Sequence, residues 1–185
     1  MEYKEIIQNT KDAMSKAVDF TKGQIDKVRT GRATVSLVDN IKADFYGSMT
    51  PITQMANIST PDARTIVIQP YDKSTMSGIE KAIQAADLGF NPMVDGTIIR
   101  IPVPPLTEER RKEYVKMAKK FAEDGKVSVR NVRREQIEIL KKTEKDKVIT
   151  EDERKRGEEE IQKITDTNIK AIDVVLAAKE KELMD

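Results

Sequence analysis

The chain has 185 residues and a formal charge of +1, with 35% charged residues, 4% aromatics and no Trp. It contains neither Cys nor His, which excludes disulfides and thiolate chemistry and removes the usual general base and metal ligand. The length suits one or two domains with a real core, and the composition is that of long, solvent-washed helices more than of an enzyme.

Residues 2–29 are predicted as one helix, because Tyr3, Ile7, Thr10, Met14, Ala17, Thr21, Ile25 and Val28 recur at spacings of three and four. Gly23 interrupts it weakly, and Gly31 is the expected stop after Arg29 and Thr30. The opening MEYKEIIQNTKDAM lacks the apolar centre of a signal peptide, and no run approaches membrane-spanning length. A soluble cytoplasmic protein without a membrane partner is expected.

Residues 31–105 have a different texture. IKADFYG alternates, with Ile41, Ala43 and Phe45 on one face before a Gly turn. TIVIQPY and TIIRIPV are short β-branched runs, the second preceded by the turn signal Asp95-Gly96. Between them, residues 73–88 carry Met76, Ile79, Ile83 and Ala86 at helical spacing.

A second helix is expected after PPLTEE. Pro104 and Pro105 break the preceding segment, Thr107 can cap, and Glu108 and Glu109 suit the positive end of a helix dipole. Its apolar side is Tyr114, Met117, Ala118, Phe121, Gly125, Val129, Val132, Gln136 and Ile139, ending near Lys142. The third helix begins at TEDE, where Thr150 and Glu153 have capping-box spacing, with Ile161, Ile164, Asn168, Ile172, Val175 and Leu183 as its stripe.

Three long amphipathic helices most simply form a bundle. The expected fold class is therefore α+β: a discontinuous three-helix bundle of residues 1–30 and 105–185, with a small domain of strands and a helix, residues 31–104, inserted in it. The chain crosses the boundary at Thr30-Gly31 and at Pro104-Pro105, and two short crossings predict a hinge of restricted direction.

The near-neutral total hides an uneven distribution. Residues 110–134 hold ten Lys/Arg against three acids, a net +7, whereas residues 144–166 hold six against nine, a net −3. On a helical projection Lys112, Lys116, Lys119, Lys126, Arg130, Arg133 and Arg134 gather away from the core, with Glu123 the main interruption. Neither Arg130 nor Arg133 has a carboxylate three or four residues away, so none is expected within reach along their own helix. A solvated face, or pairing with acids of the third helix, would account for the lysines. Surface ion pairs contribute only about 0–1 kcal/mol each, so stability is a poor reason for such a stripe. The planar guanidinium fork suits phosphate, which points to a phosphate-rich partner. Scarce aromatics argue against base stacking and leave a folded RNA or duplex met through its backbone.

No phosphate-binding GxxxxGK[ST], GxGxxG or GxSxG motif occurs. The acidic clusters Glu151-Asp152-Glu153 and Glu158-Glu159-Glu160 are consecutive helical residues that point in different directions, so no metal site is expected. Nothing supports catalysis, and a non-enzyme without a cofactor is the reading.

KVRTGRATVSLVD, PPLTEERRKEYVKMAKK, VRNVRRE and KDKVITEDERKRGEEEIQKITD, with YDKS, GIEKAI and DLGFNP in the middle segment, resemble the ribosome recycling factor family from end to end. The resemblance is to the bacterial type. It implies an L-shaped protein in which a three-helix bundle and a β/α/β sandwich domain are joined by two flexible strands of chain. It also implies a factor that binds the large ribosomal subunit after peptide release and, with elongation factor G and GTP, splits the ribosome. Arg29 of RTGR and Arg130 and Arg133 of VRNVRRE would then contact 23S ribosomal RNA, with Lys126 and Arg134 of the basic stripe beside them. A monomer is expected. Two other readings stay open: a helical scaffold whose basic face binds an acidic protein, and a general RNA- or DNA-binding architectural protein.

Overall fold

The computed structural model describes all residues, Met1–Asp185. In chain order the elements are helix α1 (Tyr3–Asp26), strands β1 (Lys42–Phe45) and β2 (Ser48–Pro51), and the single helical turn α2 (Ile52–Met55). Strands β3 (Ala56–Asp62) and β4 (Thr65–Pro70), helix α3 (Met76–Ala85), and strands β5 (Met93–Asp95) and β6 (Ile98–Pro102) follow. The long helices α4 (Glu108–Lys145) and α5 (Glu151–Met184) complete the chain. The contacts divide these into two units, one of Met1–Thr30 and Glu108–Asp185, the other of Gly31–Thr107.

The first unit packs α1, α4 and α5 against one another. Side-chain contacts give the directions. Tyr3 meets Glu160 and Lys179 meets Asp26, so α1 and α5 run parallel. Thr21 faces Gly125 in α4, while Ile6 and Ile7 share a cluster with Leu140, so α4 runs the other way. One end of the core is Ile6, Ile7, Leu140, Ile149 and Ile161; the longer remainder centres on Met14, Ile25, Ala122, Val129 and Ile172.

The predicted stripes enter this core with a few changes. α1 stops at Asp26, short of the expected residue 29, because Lys179 Nζ donates to the Asp26 carbonyl at 3.3 Å and satisfies it from another helix. Val28 stays buried beyond the helix end. Lys179 itself is a buried cation in the α5 stripe, and burial pushes its ammonium below the usual lysine range against the opposing pull of Glu182 and Asp26. Met117, expected inside, is 44% exposed; Ala118, expected there too, is buried, and Ala122 joins it because the contact line on α4 drifts with the 3.6-residue period. The buried Thr10, Thr21, Thr143 and Thr165 each donate Oγ1 to the carbonyl four residues back, which lets a hydroxyl sit in an apolar stripe.

α4 runs past Lys142 to Lys145, where Lys147 takes a left-handed conformation (φ 59°) and Val148 N–H donates to the Thr143 carbonyl. At the start of α5, the Glu153 N–H donates to Thr150 Oγ1 at 3.2 Å and the Thr150 N–H donates to Glu153 Oε2 at 2.8 Å. This is the capping box expected from sequence. Thr150→Ala should cost about 1 kcal/mol, read as a lower midpoint in urea unfolding with an unchanged slope.

The second unit holds a two-stranded sheet, β1-β2, and a four-stranded sheet of order β3-β4-β6-β5, all antiparallel. Helix α3 packs on β1 and β6. The runs TIVIQPY and TIIRIPV become the adjacent central strands β4 and β6, whose Ile66, Ile68, Ile99 and Ile101 all point into the core. Ile52, Ile79 and Ile83 close it from the helices. Strands β3 and β5 went unseen in the sequence because they are the sheet's edges: β3 is polar and contains Pro61, and β5 has three exposed residues. The helix expected over residues 73–88 is shorter. Asp72 Oδ1 accepts from the Ser74 N–H at 2.9 Å and organises a 3₁₀ turn at Lys73–Thr75, so α3 starts at Met76, and Ala86 lies exposed beyond its end.

Candidate RNA-binding face

Gly125, Val129 and Val132 turn one side of α4 into the bundle, and this fixes the direction of the cations between them. Lys126, Arg130, Arg133 and Arg134 lie on successive turns of one unbroken helix, so their spacing is set by a 1.5 Å rise per residue.

The four are held differently. The Lys126 ammonium is ion-paired with Asp173 of α5, and its side chain is only 19% exposed. Lys119 lies 3.9 Å from Glu180 of the same helix. For these two lysines the pairing between second and third helices does occur. Arg130 corrects an expectation, because it does have a carboxylate along its own helix: Nη1 sits 3.3 Å from Glu123 Oε1. Seven residues make almost two full turns, so the two side chains share a face and lean together. Glu123 is exposed and Arg130 half-buried, which leaves the pair worth about 0–1 kcal/mol and easily exchanged for a phosphate.

Arg133 has a neutral partner. Its Nη1 donates to Gln162 Oε1 at 3.0 Å, and Gln162 Nε2 in turn donates to Asp166 Oδ1 at 2.9 Å. The amide thus orients the guanidinium without neutralising it. Arg133 Nε is buried and makes no hydrogen bond. Arg134 is exposed beside it.

Arg29 is not brought to this group. It is exposed beyond the end of α1, and with Thr21 level with Gly125 it lies roughly 20 Å from Arg130 along the bundle. Of the candidate hinge residues, Gly31 has φ +76°, Thr30 is half-buried, and Pro104 and Pro105 are exposed. No group of three or more acidic side chains converges to hold a metal ion, and no helix is long and apolar enough to cross a membrane.

Sequence reasoning missed Glu123, Gln162 and Asp173 as the partners of these cations. Glu123 was legible in principle from the seven-residue spacing. Gln162 and Asp173 required the antiparallel register of α4 and α5, which no local pattern carries.

Known proteins match the chain over its whole length. The ribosome-recycling factor of Oleidesulfovibrio alaskensis is 55% identical over 180 residues, covering 97% of this chain and 98% of that protein. That of Nitratidesulfovibrio vulgaris is 51% identical over 185 residues and 100% of both chains. Among solved structures, a solution structure of ribosome recycling factor superposes with a TM-score of 0.77 at 45% identity, covering 100% of this chain and 98% of that one. A second, at TM-score 0.67 and 42% identity over 100% of both chains, is described as models for the T. thermophilus ribosome recycling factor and the E. coli elongation factor G bound to the E. coli post-termination complex. The ribosome recycling factor family profile matches residues 21–184. With bundle, inserted sheet unit and full-length relatives in agreement, the chain belongs to the ribosome recycling factor family.

Proposed function

We propose that this chain binds the post-termination ribosome and, with elongation factor G and GTP, separates it into subunits, freeing mRNA and tRNA. Its seat would be the large subunit, with Arg130, Arg133 and Arg134 of α4 set against phosphates of 23S ribosomal RNA. Arg29 would be a second, separate contact at the far end of the bundle. The observation that carries the reading is the arginine cluster on one turn of a rigid helix, where Arg133 is oriented by a neutral amide and Arg130 is held only by an exposed carboxylate. An arginine oriented without being neutralised, beside one whose carboxylate partner is exposed and readily exchanged, suits a phosphate backbone. Lys126 belongs to this face by position but contributes less, since Asp173 already meets its charge.

The chain carries no nucleotide-binding loop, so the free energy of separation must come from the partner's GTP hydrolysis. A three-helix bundle is a stiff body for transmitting that push, and the crossings at Thr30-Gly31 and Pro104-Pro105 are where the inserted unit would turn. The test is light scattering of post-termination ribosomes mixed with this protein, elongation factor G and GTP. A fall in scattering that requires all three is expected. Ribosome binding without any fall would leave only an RNA-binding bundle.

A further inference from the structure

One turn holds both chain crossings. Between β3 and β4, Asp62 Oδ1 accepts from the Arg64 N–H at 2.8 Å and shapes the turn. The Ala63 carbonyl then accepts from the Ala33 N–H at 2.8 Å, and the Arg64 carbonyl accepts from the Val103 N–H at 2.7 Å. The Arg64 side chain reaches the entering segment as well, with Nη1 donating to the Gly31 carbonyl at 3.0 Å. Since Thr65 pairs with Pro102, the Val103 bond is one more rung of the β4–β6 ladder, carried past the strand ends. Ala33 and Val103 are buried at 8% and 5% exposure, so the anchored residues belong to the core of the inserted unit.

The two crossings also touch. A Cβ on Gly31 would lie 3.0 Å from Leu106 Cγ, and the positive φ of Gly31 is what presents its carbonyl to Arg64. On the leaving side the prolines remove still more freedom. Pro104 and Pro105 fix their own φ, and each keeps the residue before it extended.

We propose that Arg64 is a positioning residue that fastens the entering and leaving segments into one strap, so that of the hinge residues named above Gly31 is fixed, and bending falls at Thr30 on the entering side and beyond Val103 on the leaving side. A push on the inserted unit then reaches the bundle instead of being absorbed by slack at its root. This consequence rests on the recycling function proposed above; the fastening itself does not.

The test uses the full chain with Arg64→Ala and Arg64→Lys. Amide hydrogen exchange is followed by NMR, ribosome affinity by sedimentation, and splitting by light scattering with elongation factor G and GTP. In Arg64→Ala the Ala33 amide should exchange about tenfold faster through loss of a charge-assisted bond next to it, while Val103, held by a main-chain carbonyl, changes little. Ribosome affinity should stay the same and splitting should slow several-fold, with Arg64→Lys recovering part of both effects. Ala33 exchange at the unmodified rate in Arg64→Ala overturns the fastening. Faster exchange with unmodified splitting overturns its role in transmission. If the unmodified protein itself splits no ribosomes, the proposed function falls, and the exchange rates still decide whether Arg64 is the fastener.

Discussion

Replacing Arg130 and Arg133 together by alanine is expected to weaken ribosome binding by roughly 100-fold at low salt, about tenfold for each charge-assisted hydrogen bond to phosphate that disappears. The salt dependence is the sharper readout. Each phosphate left without its arginine should lower the slope of log affinity against log salt by about 0.7–0.9, so the double variant should lose close to 1.5. Stability should hardly move, because Arg130 gives up only a pair with the exposed Glu123 and Arg133 a hydrogen bond to the Gln162 amide. Lys126→Ala is the control with the opposite profile. Its ion pair with Asp173 is partly shielded by the bundle, so removing it should lower stability while leaving the salt slope nearly unchanged. A double variant with the unmodified slope would return the arginines to an ordinary solvated face. An equal loss of slope in Lys126→Ala would extend the RNA-binding surface along the whole stripe.

Gly125→Ala should destabilise the bundle by about 1–3 kcal/mol, the usual range for overpacking. A Cβ at this position would lie 2.1 Å from Thr21 Oγ1, 2.6 Å from Thr21 Cγ2 and 2.9 Å from Thr21 Cβ. Two of these are the body of a β-branched side chain whose hydroxyl is already committed to the Ala17 carbonyl, so no rotation clears the clash. The helices α1 and α4 must separate instead. Alanine would otherwise favour α4 by up to about 1 kcal/mol over glycine, so a net loss measures close packing alone. Thermal unfolding of the single variant should fall by about 2–4 °C per kcal/mol. Adding Thr21→Ala removes the two nearest atoms and should recover part of the loss, a non-additivity expected only of residues that touch. Full additivity would show that α1 and α4 do not meet at this point.

Gly125 also shows how a sequence can be right about a position and silent about its reason. It stood in the apolar stripe of α4 by spacing alone. That its missing side chain is what lets Thr21 in depends on α1, which precedes it by about a hundred residues. The same holds for the cations. Their common face follows from helical geometry, but the partners that divide them into paired lysines and oriented arginines come from α5.

The sequence by itself determined the three helix stripes, the capping box at Thr150, the two central strands β4 and β6 and the concentration of positive charge on one helix. These are periodic or local features, and burial of a face writes itself into residue spacing. The family was legible too, through motifs at both crossings and on the basic helix. Only the tertiary structure decided where α1 ends, because the carbonyl of Asp26 is satisfied by Lys179 from the last helix. It alone supplied the edge strands β3 and β5, which owe their pairing to β4 and β6 rather than to their own composition. It alone placed Arg29 far from Arg130 and tied Gly31, Ala33 and Val103 to a single turn. Hydrogen bonds across such separations depend on the path of the whole chain, and no local pattern of residues records them.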